Sequence, residues 1–374
     1  MKRLIAIALL LCMLLSIFAC ASDAPESEAP AAKATELPSA APSEEVLIVA
    51  TPTPAPTLAP APTLPPELIP TPEPTEIPVT DPVITLIDGE DVNVNADFGF
   101  TDPGFYANDY LGGNLTGRVE VKGEVVSYLV GTYDLTYSVT DDGGRSTTVV
   151  RRVHVVPVEM PEIVTPPEKT VYLTFDDGPC GYTEQLLDVL KKYDAKATFF
   201  IIGNKGRPEI IKRAYEEGHS IGVHTYCHDY KTIYKNEQAF FDDFRKTQEV
   251  IKEATGSYTR IFRFPGGSGN TASRRNKGIM TRLTAIMENM GYRYFDWNVT
   301  AGDAGSKGAS SSELKTRVIN GLKKHTDYAV VLQHDIHLNS VRAVEGILKW
   351  GKEHGYTFLA LDLTSPVMHS KVQN

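Results

Sequence analysis

The chain has 374 residues, with 47 acidic against 37 basic side chains and a formal net charge of −10. That balance speaks against a nucleic-acid partner, because phosphate binding needs a basic face. The length allows two domains, or one domain with long extensions, and beyond the N-terminal segment no stretch is long and apolar enough to span a bilayer.

Lys2 and Arg3 precede an apolar run from Leu4 to Phe18 that ends at Ala19-Cys20, so residues 1–20 read as an export signal. Ile17-Phe18-Ala19-Cys20 resembles a bacterial lipobox, although Phe18 is bulky for that pattern. The resemblance implies a lipidated Cys20 and a membrane attachment through that lipid; ordinary secretion is the alternative. Both put the mature chain outside the cytoplasm. Residues 21–78 are rich in Ala, Pro, Thr, Ser and Glu, as in Thr51-Pro52-Thr53-Pro54-Ala55-Pro56. Proline fixes φ and donates no hydrogen bond, so this segment is expected to be a solvated, disordered tether. At roughly 3 Å per residue it could reach on the order of 100 Å.

Residues 79–157 change texture. Val83–Leu86, Val92–Val94, Arg118–Val121, Tyr133–Val139 and Ser146–Val156 read as short strands, separated by turn signals such as Asp88-Gly89 and Asp141-Asp142-Gly143-Gly144. Tyr133, Leu135, Tyr137 and Val139 alternate with polar residues, which gives one buried face. Several short alternating strands predict a β-sandwich. The segment Val130–Asp141 resembles the bacterial immunoglobulin-like domains of surface proteins, a likeness that specifies a fold rather than a ligand.

From residue 168 to 374 apolar strands alternate with amphipathic helices. The strands are expected at Val171–Phe175, Ala197–Ile202, Ser220–Val223, Ile261–Phe264, Tyr292–Trp297, Ala329–Leu332 and Tyr356–Ala360. The helices are expected at Thr183–Lys192, Pro208–Glu217, Asn236–Thr255, Lys277–Met290, Ser311–Lys323 and Ser340–His354. This alternation predicts an α/β fold with a parallel sheet, open or closed into a barrel.

The chemistry-bearing residues gather at the C-terminal ends of these strands, where α/β folds build their sites. Thr174-Phe175-Asp176-Asp177-Gly178-Pro179 ends a strand in two adjacent carboxylates before a tight turn. His224-Thr225-Tyr226-Cys227-His228 supplies two imidazoles at i and i+4, expected on one face of a helical turn. Asp177, His224 and His228 then make a two-histidine, one-carboxylate metal set with open positions, and Asp176 is left free to handle a proton.

These stretches resemble the polysaccharide deacetylases of the chitooligosaccharide deacetylase type, carbohydrate esterase family 4. The motifs occur in order as Thr174–Pro179, His224–His228, Arg263-Phe264-Pro265-Gly266-Gly267, Asp303-Ala304 and Leu332-Gln333-His334. The resemblance implies a distorted (β/α) barrel and a hydrolase that removes N-acetyl groups from amino sugars of a cell-wall polysaccharide. It implies that Asp177, His224 and His228 hold a divalent metal, zinc first, with cobalt among the alternatives. Asp176 would be the general base and Arg263 its ion-pair partner. His334 would be the general acid, oriented by Asp303, and Pro265, Gly266 and Leu332 would border the oxyanion and substrate. The pattern is broken where the family's Trp after the fourth-motif acid is Ala304 and another family acid is Thr300. Trp297 could supply part of that wall or belong to the core. His219 reads as structural, and His337 as a neighbour of the groove.

Anchoring and tether favour peptidoglycan as the polymer. O-deacetylation of a polysaccharide such as xylan and a non-catalytic glycan-binding surface protein are the alternatives. Cys180 lies three residues after Asp177, and Cys227 directly precedes His228. If those two ligands share one metal, the thiols come close, so a Cys180–Cys227 disulfide is expected in an oxidising compartment.

Overall fold

A computed structural model of the chain describes residues 78–304 and 308–373. The expected export signal, Cys20 and the tether up to residue 77 lie outside these residues.

Six strands form the first region: β1 (Val83–Leu86), β2 (Asp91–Asn95), β3 (Phe105–Asn108), β4 (Glu120–Lys122), β5 (Gly131–Thr140) and β6 (Ser146–Val156). β1 pairs with β3 in one sheet, and β2-β6-β5-β4 form the other. Along β5 the alternation acts as expected: Leu135, Tyr137 and Val139 are buried, while Thr132, Asp134 and Thr140 face solvent. The buried set packs with Ile84, Ala107 and Val153. Arg151 of β6 is fully buried in this small core. Its guanidinium meets the Asp102 carboxylate and the carbonyls of Ile87, Gly89 and Gly104, which satisfies a charge that burial would otherwise penalise. One side chain thus ties the long strand to the loops on either side of β2. Strand β3 was not anticipated.

The second region begins at β7 (Thr170–Asp176), followed by α1 (Thr183–Lys192), β8 (Ala197–Ile201), α2 (Pro208–Glu216), β9 (Ser220–Val223), α3 (Tyr230–Ile233), α4 (Glu237–Thr255) and β10 (Ile261–Phe262). Then come α5 (Ile279–Asn289), β11 (Arg293–Tyr294), β12 (Val299–Thr300), α6 (Ser311–Leu322), β13 (Tyr328–His334), α7 (Leu338–Glu353) and β14 (Thr357–Phe358). The sheet order is β11-β10-β9-β8-β7-β13-β12, with β14 paired to the start of β7, and every pairing is parallel. Each residue of β7 is buried, as a parallel strand covered on both faces requires. The curled sheet makes a half-barrel with flanking helices. Its β11 edge is covered by the C-terminal tail, where the Asp296 N–H donates to the Met368 carbonyl at 2.8 Å and the His369 ring stacks on Tyr294 at 3.8 Å.

Helix limits follow local chemistry. Asn236 caps α4 by accepting the Ala239 N–H, and Gly256, at φ 83°, ends that helix in the left-handed region. A Ser310–Glu313 capping box starts α6. Strands β10 and β11 are shorter than expected, and β12 and α3 were not anticipated.

The sandwich packs against the half-barrel through rings. Phe98 contacts Phe241, Phe244 and Tyr292 at centroid distances of 5.6–5.9 Å, and Tyr128 meets Phe241 at 4.7 Å. Such pairs add to the burial of their area, so the junction is a built interface rather than a loose hinge.

Candidate active site

Strand β7 delivers both carboxylates. Asp176 is its last residue, and Asp177 follows with φ 73°, a left-handed conformation that costs a non-glycine residue energy. That turn separates the two acids. Asp176 is buried between β8 and β13, in register with His334. Asp177 is half-buried and reaches toward the loop after β9.

The two histidines lie on a loop and not on the expected helical turn. His224 leaves β9 in extended continuity, its N–H bonded to the Ile201 carbonyl, and Thr225 (φ 70°) and His228 (φ 52°) turn left-handed. Those two left-handed residues rule out a helical turn, and Asp243 of α4 holds the loop in place: its buried carboxylate accepts the Tyr226 N–H at 2.5 Å and the Cys227 N–H at 3.2 Å. The loop still brings the imidazoles together, with ring centroids 5.1 Å apart.

Asp177 Oδ1 stands 3.6 Å from His224 Nε2 and 3.6 Å from His228 Nε2. These separations are too long for hydrogen bonds and suit atoms that share one ion. Asp177 Oδ1 is buried and has no hydrogen-bond partner. His224 Nδ1 lies 2.9 Å from the Arg263 carbonyl, which fixes the proton there and leaves the Nε2 lone pair facing inward. Burial, the largest influence, pushes His224 down to about 3, so it stays neutral as a ligand must. Asp177, His224 and His228 therefore fit a divalent ion such as zinc.

Arg263, fully buried, holds Asp176 from the other side. Nη1 donates to Asp176 Oδ1 and to Thr174 Oγ1, both at 2.7 Å, while Nε donates to the Phe295 carbonyl at 2.7 Å and Nη2 to that of Asp296 at 3.1 Å. A surface cation would not have four fixed partners. Burial raises the Asp176 carboxyl above its usual range, opposed by the charges of Arg263 and His334. Its second oxygen, Oδ2, lies 3.7 Å from His224 Nε2 and faces the ligand set.

His334 ends β13. Its Nδ1 lies 2.9 Å from Asp303 Oδ1, its backbone N–H donates to Asp303 Oδ2 at 2.7 Å, and Ser340 Oγ donates to that same oxygen at 2.7 Å. Burial works against the imidazolium, but the hydrogen bond to Asp303 and the charges of Asp176 and Asp303 outweigh it and raise His334 to about 9. Burial would raise Asp303 too; its bonds to His334 and Ser340 outweigh that and hold it below the usual carboxylate range.

Of the expected rim, Pro265 is buried, with its carbonyl accepting the Tyr234 hydroxyl at 2.9 Å; Gly266 is exposed at φ 73°, and Leu332 is buried. Ala304 and Thr300 are both exposed. Trp297 is half-buried and lies against Gly267, where an added Cβ would come 3.1 Å from the indole. The His337 ring lies 5.9 Å from that of His334.

The expected disulfide does not form: Cys180 and Cys227 are both free. The metal ligands converge through inward-pointing side chains, and this does not oblige the neighbouring thiols to converge. Cys180 Sγ donates to the Asp335 carbonyl at 3.3 Å and accepts the Tyr182 N–H at 3.3 Å; Cys227 Sγ accepts the Asp229 N–H at 3.4 Å. Each thiol is thus held by its own surroundings. Burial pushes the Cys227 thiol up to about 11, which leaves little reactive thiolate.

Sequence reasoning missed Asp243 and Asp296. Asp296 is fully buried and accepts the Ser268 N–H at 2.8 Å and the Ser370 N–H at 2.7 Å, which fixes the Gly266–Gly267 loop against the tail. Asp243 had a legible signal, because it is an acid on the phenylalanine face of α4. Asp296 had none, since its partner Ser370 lies 74 residues on.

A polysaccharide deacetylase family profile matches residues 163–295, and a bacterial surface protein Ig-like domain profile matches residues 84–155. The peptidoglycan-N-acetylglucosamine deacetylase of Bacillus cereus is 38% identical over 200 residues, 51% of this chain and 69% of that protein. A peptidoglycan-N-acetylglucosamine deacetylase of Listeria monocytogenes is 32% identical over 55% of this chain and 41% of its own length. Among solved structures, the catalytic domain of the peptidoglycan N-acetylglucosamine deacetylase from Eubacterium rectale aligns with a TM-score of 0.56 and 46% identity, over 57% of this chain and 98% of that one. With the half-barrel and its two-histidine, one-carboxylate set, these likenesses establish that the chain belongs to the polysaccharide deacetylase family.

Proposed function

We propose that this protein is a metal-dependent deacetylase that removes N-acetyl groups from the amino sugars of peptidoglycan. The observation that carries the reading is the unpartnered Asp177 Oδ1 facing His224 Nε2 and His228 Nε2, with a separate carboxylate and a separate imidazole on either side. Peptidoglycan is favoured because the relatives described above are named for that substrate.

When bound by Asp177, His224 and His228, a divalent ion would polarise the acetamide carbonyl and acidify the attacking water. Asp176 takes the water's proton on Oδ2, since Oδ1 is committed to Arg263. Its raised pKa makes it a better proton acceptor than an exposed aspartate. Arg263, braced by Thr174 and two carbonyls, keeps that carboxylate aimed. His334, protonated below about pH 9, gives its Nε2 proton to the departing amine, which could not leave as an anion near neutral pH. Asp303 holds the ring through Nδ1 and supports its charge. The backbone beyond Pro265, at Gly266, is suited to donate to the tetrahedral oxyanion, with Leu332 bordering the acetyl methyl.

Cys20 would carry the lipid anchor, and residues 21–78 would carry the enzyme out into the wall. Among the described residues no helix is long and apolar enough to cross a membrane. Acetate release from peptidoglycan, N-acetylglucosamine oligomers and acetylated xylan, compared between wild type and Asp176→Ala, tests the reading. Release from the first two that disappears in the variant is expected; background release from all three in both proteins would reject it.

A further inference from the structure

One cleft of the half-barrel lies away from the catalytic end. It lies at the opposite end of the sheet, where His219 precedes β9 and Arg260 precedes β10. Its volume is about 350 Å³, within the range of small-molecule sites. Tyr258 and Arg260 also border a second cleft of about 400 Å³, which runs under Phe98 of the sandwich. The two spaces thus share Tyr258 and Arg260 as a common rim, here taken together as one groove, and the ring-packed sandwich junction borders the second.

A histidine that lines the first cleft has an unanswered donor. His219 is 3% exposed, and its Nδ1 accepts the Ala197 N–H at 3.1 Å. A nitrogen that accepts a backbone N–H carries no proton, so the proton of the neutral ring is on Nε2. That Nε2 is buried and has no partner. Burial, with help from Lys196, pushes His219 down to about 4, so the ring is neutral at ordinary pH. A buried N–H of this kind calls for a neutral acceptor such as a hydroxyl or an amide carbonyl. Tyr215 and Tyr258, 47% and 50% exposed, offer apolar ring surface at the same cleft. The Arg260 guanidinium spends one bond on the Met290 carbonyl and has further N–H groups to donate. Flat rings, planar polar groups and an acceptor-seeking donor are the chemistry that recognises a sugar carrying both hydroxyls and an acetamide.

We propose that this groove is a second glycan-binding site, remote from the catalytic centre, that takes an N-acetylated segment of polysaccharide. As a statement about substrate it rests on the deacetylase reading. Engaging the polymer at two places raises the effective concentration of the acetyl groups at the catalytic end.

The test uses the zinc-loaded full chain carrying Asp176→Asn, which binds without turnover, titrated calorimetrically with N-acetylchitopentaose and with cellopentaose. Two binding events are expected for N-acetylchitopentaose, and one when Tyr215→Ala and Tyr258→Ala are added. Cellopentaose, which lacks acetamides, should fill the second site at least tenfold more weakly. With Asp176 restored, the double tyrosine variant should hydrolyse the short oligomer at the wild-type rate, yet be retained on insoluble peptidoglycan about tenfold less well, as loss of ring contacts implies. A single event in the parent, or unchanged retention in the double variant, would overturn the proposal. Equal binding of cellopentaose would overturn the acetamide assignment. Absence of acetate release by the wild type would sink the catalytic reading alone, because the calorimetric count does not depend on turnover.

Discussion

Asp176 and Asp303 are both buried acids, each held against a base at the same end of the half-barrel, and they differ in what their oxygens have left to do. Asp303 spends both: Oδ1 meets His334 Nδ1, and Oδ2 takes the His334 N–H and the Ser340 hydroxyl. Asp176 spends one, on Arg263, and turns the other toward the ligand set. A carboxylate with both oxygens engaged can orient and charge its neighbour, but presents no free oxygen to a proton in flight. One with a free oxygen can accept it. The partners differ in the same sense. A guanidinium does not titrate, so Arg263 keeps Asp176 aimed at any working pH, whereas His334 titrates at about 9 and can give its proton up.

Four experiments would sharpen or break this contrast. The largest effect is expected from His228→Ala, which should take both metal content and acetate release to background; full metal content in that variant would remove His228 from the ligand set. Next, Asp176→Asn should lower kcat about 10²- to 10⁴-fold, the usual worth of a general base, while metal content holds. Loss of metal in parallel would mean that the two adjacent acids do not have separate jobs. Asp303→Asn should cost about 10- to 100-fold, as loss of an orienting carboxylate does. It should also shift the pH profile. The raised pKa keeps His334 protonated up to about pH 9, so the alkaline limb of kcat/KM is expected there in wild type. Without the Asp303 bond and charge, burial lowers that pKa, and the limb should move to lower pH. An unmoved limb would show that His334 is not the group that titrates in it. The smallest effect is expected from redox state: wild type with and without reductant should melt and turn over alike, because Cys180 and Cys227 are separate free thiols. A loss of activity on reduction would revive the bridge.

Much of the site was legible in the sequence, because its parts are local. Strand β7 with its two acids, the i, i+4 histidines, and the Arg263 and His334 stretches each sit at the end of an apolar run, and such runs are read from one-dimensional pattern. Helix limits were read well where caps are local, as at Asn236 and Ser310. The errors share a cause. A helical turn at His224–His228 and a Cys180–Cys227 bridge both extrapolated from spacing, and spacing is silent about Asp243, which reaches in from α4 to take two backbone donors.

By itself the sequence determined the order of elements, the one-sided burial of β5, the metal-ligand types and which acid stands next to which, since these follow from covalent adjacency and hydrophobic period. Only the tertiary structure decided which oxygen of Asp176 is free, that His224 presents Nε2 rather than Nδ1, that the thiols stay apart, and that the sandwich is packed by rings onto the half-barrel. Each of these depends on partners tens of residues away, whose approach is fixed by the curl of the sheet and the packing of its helices.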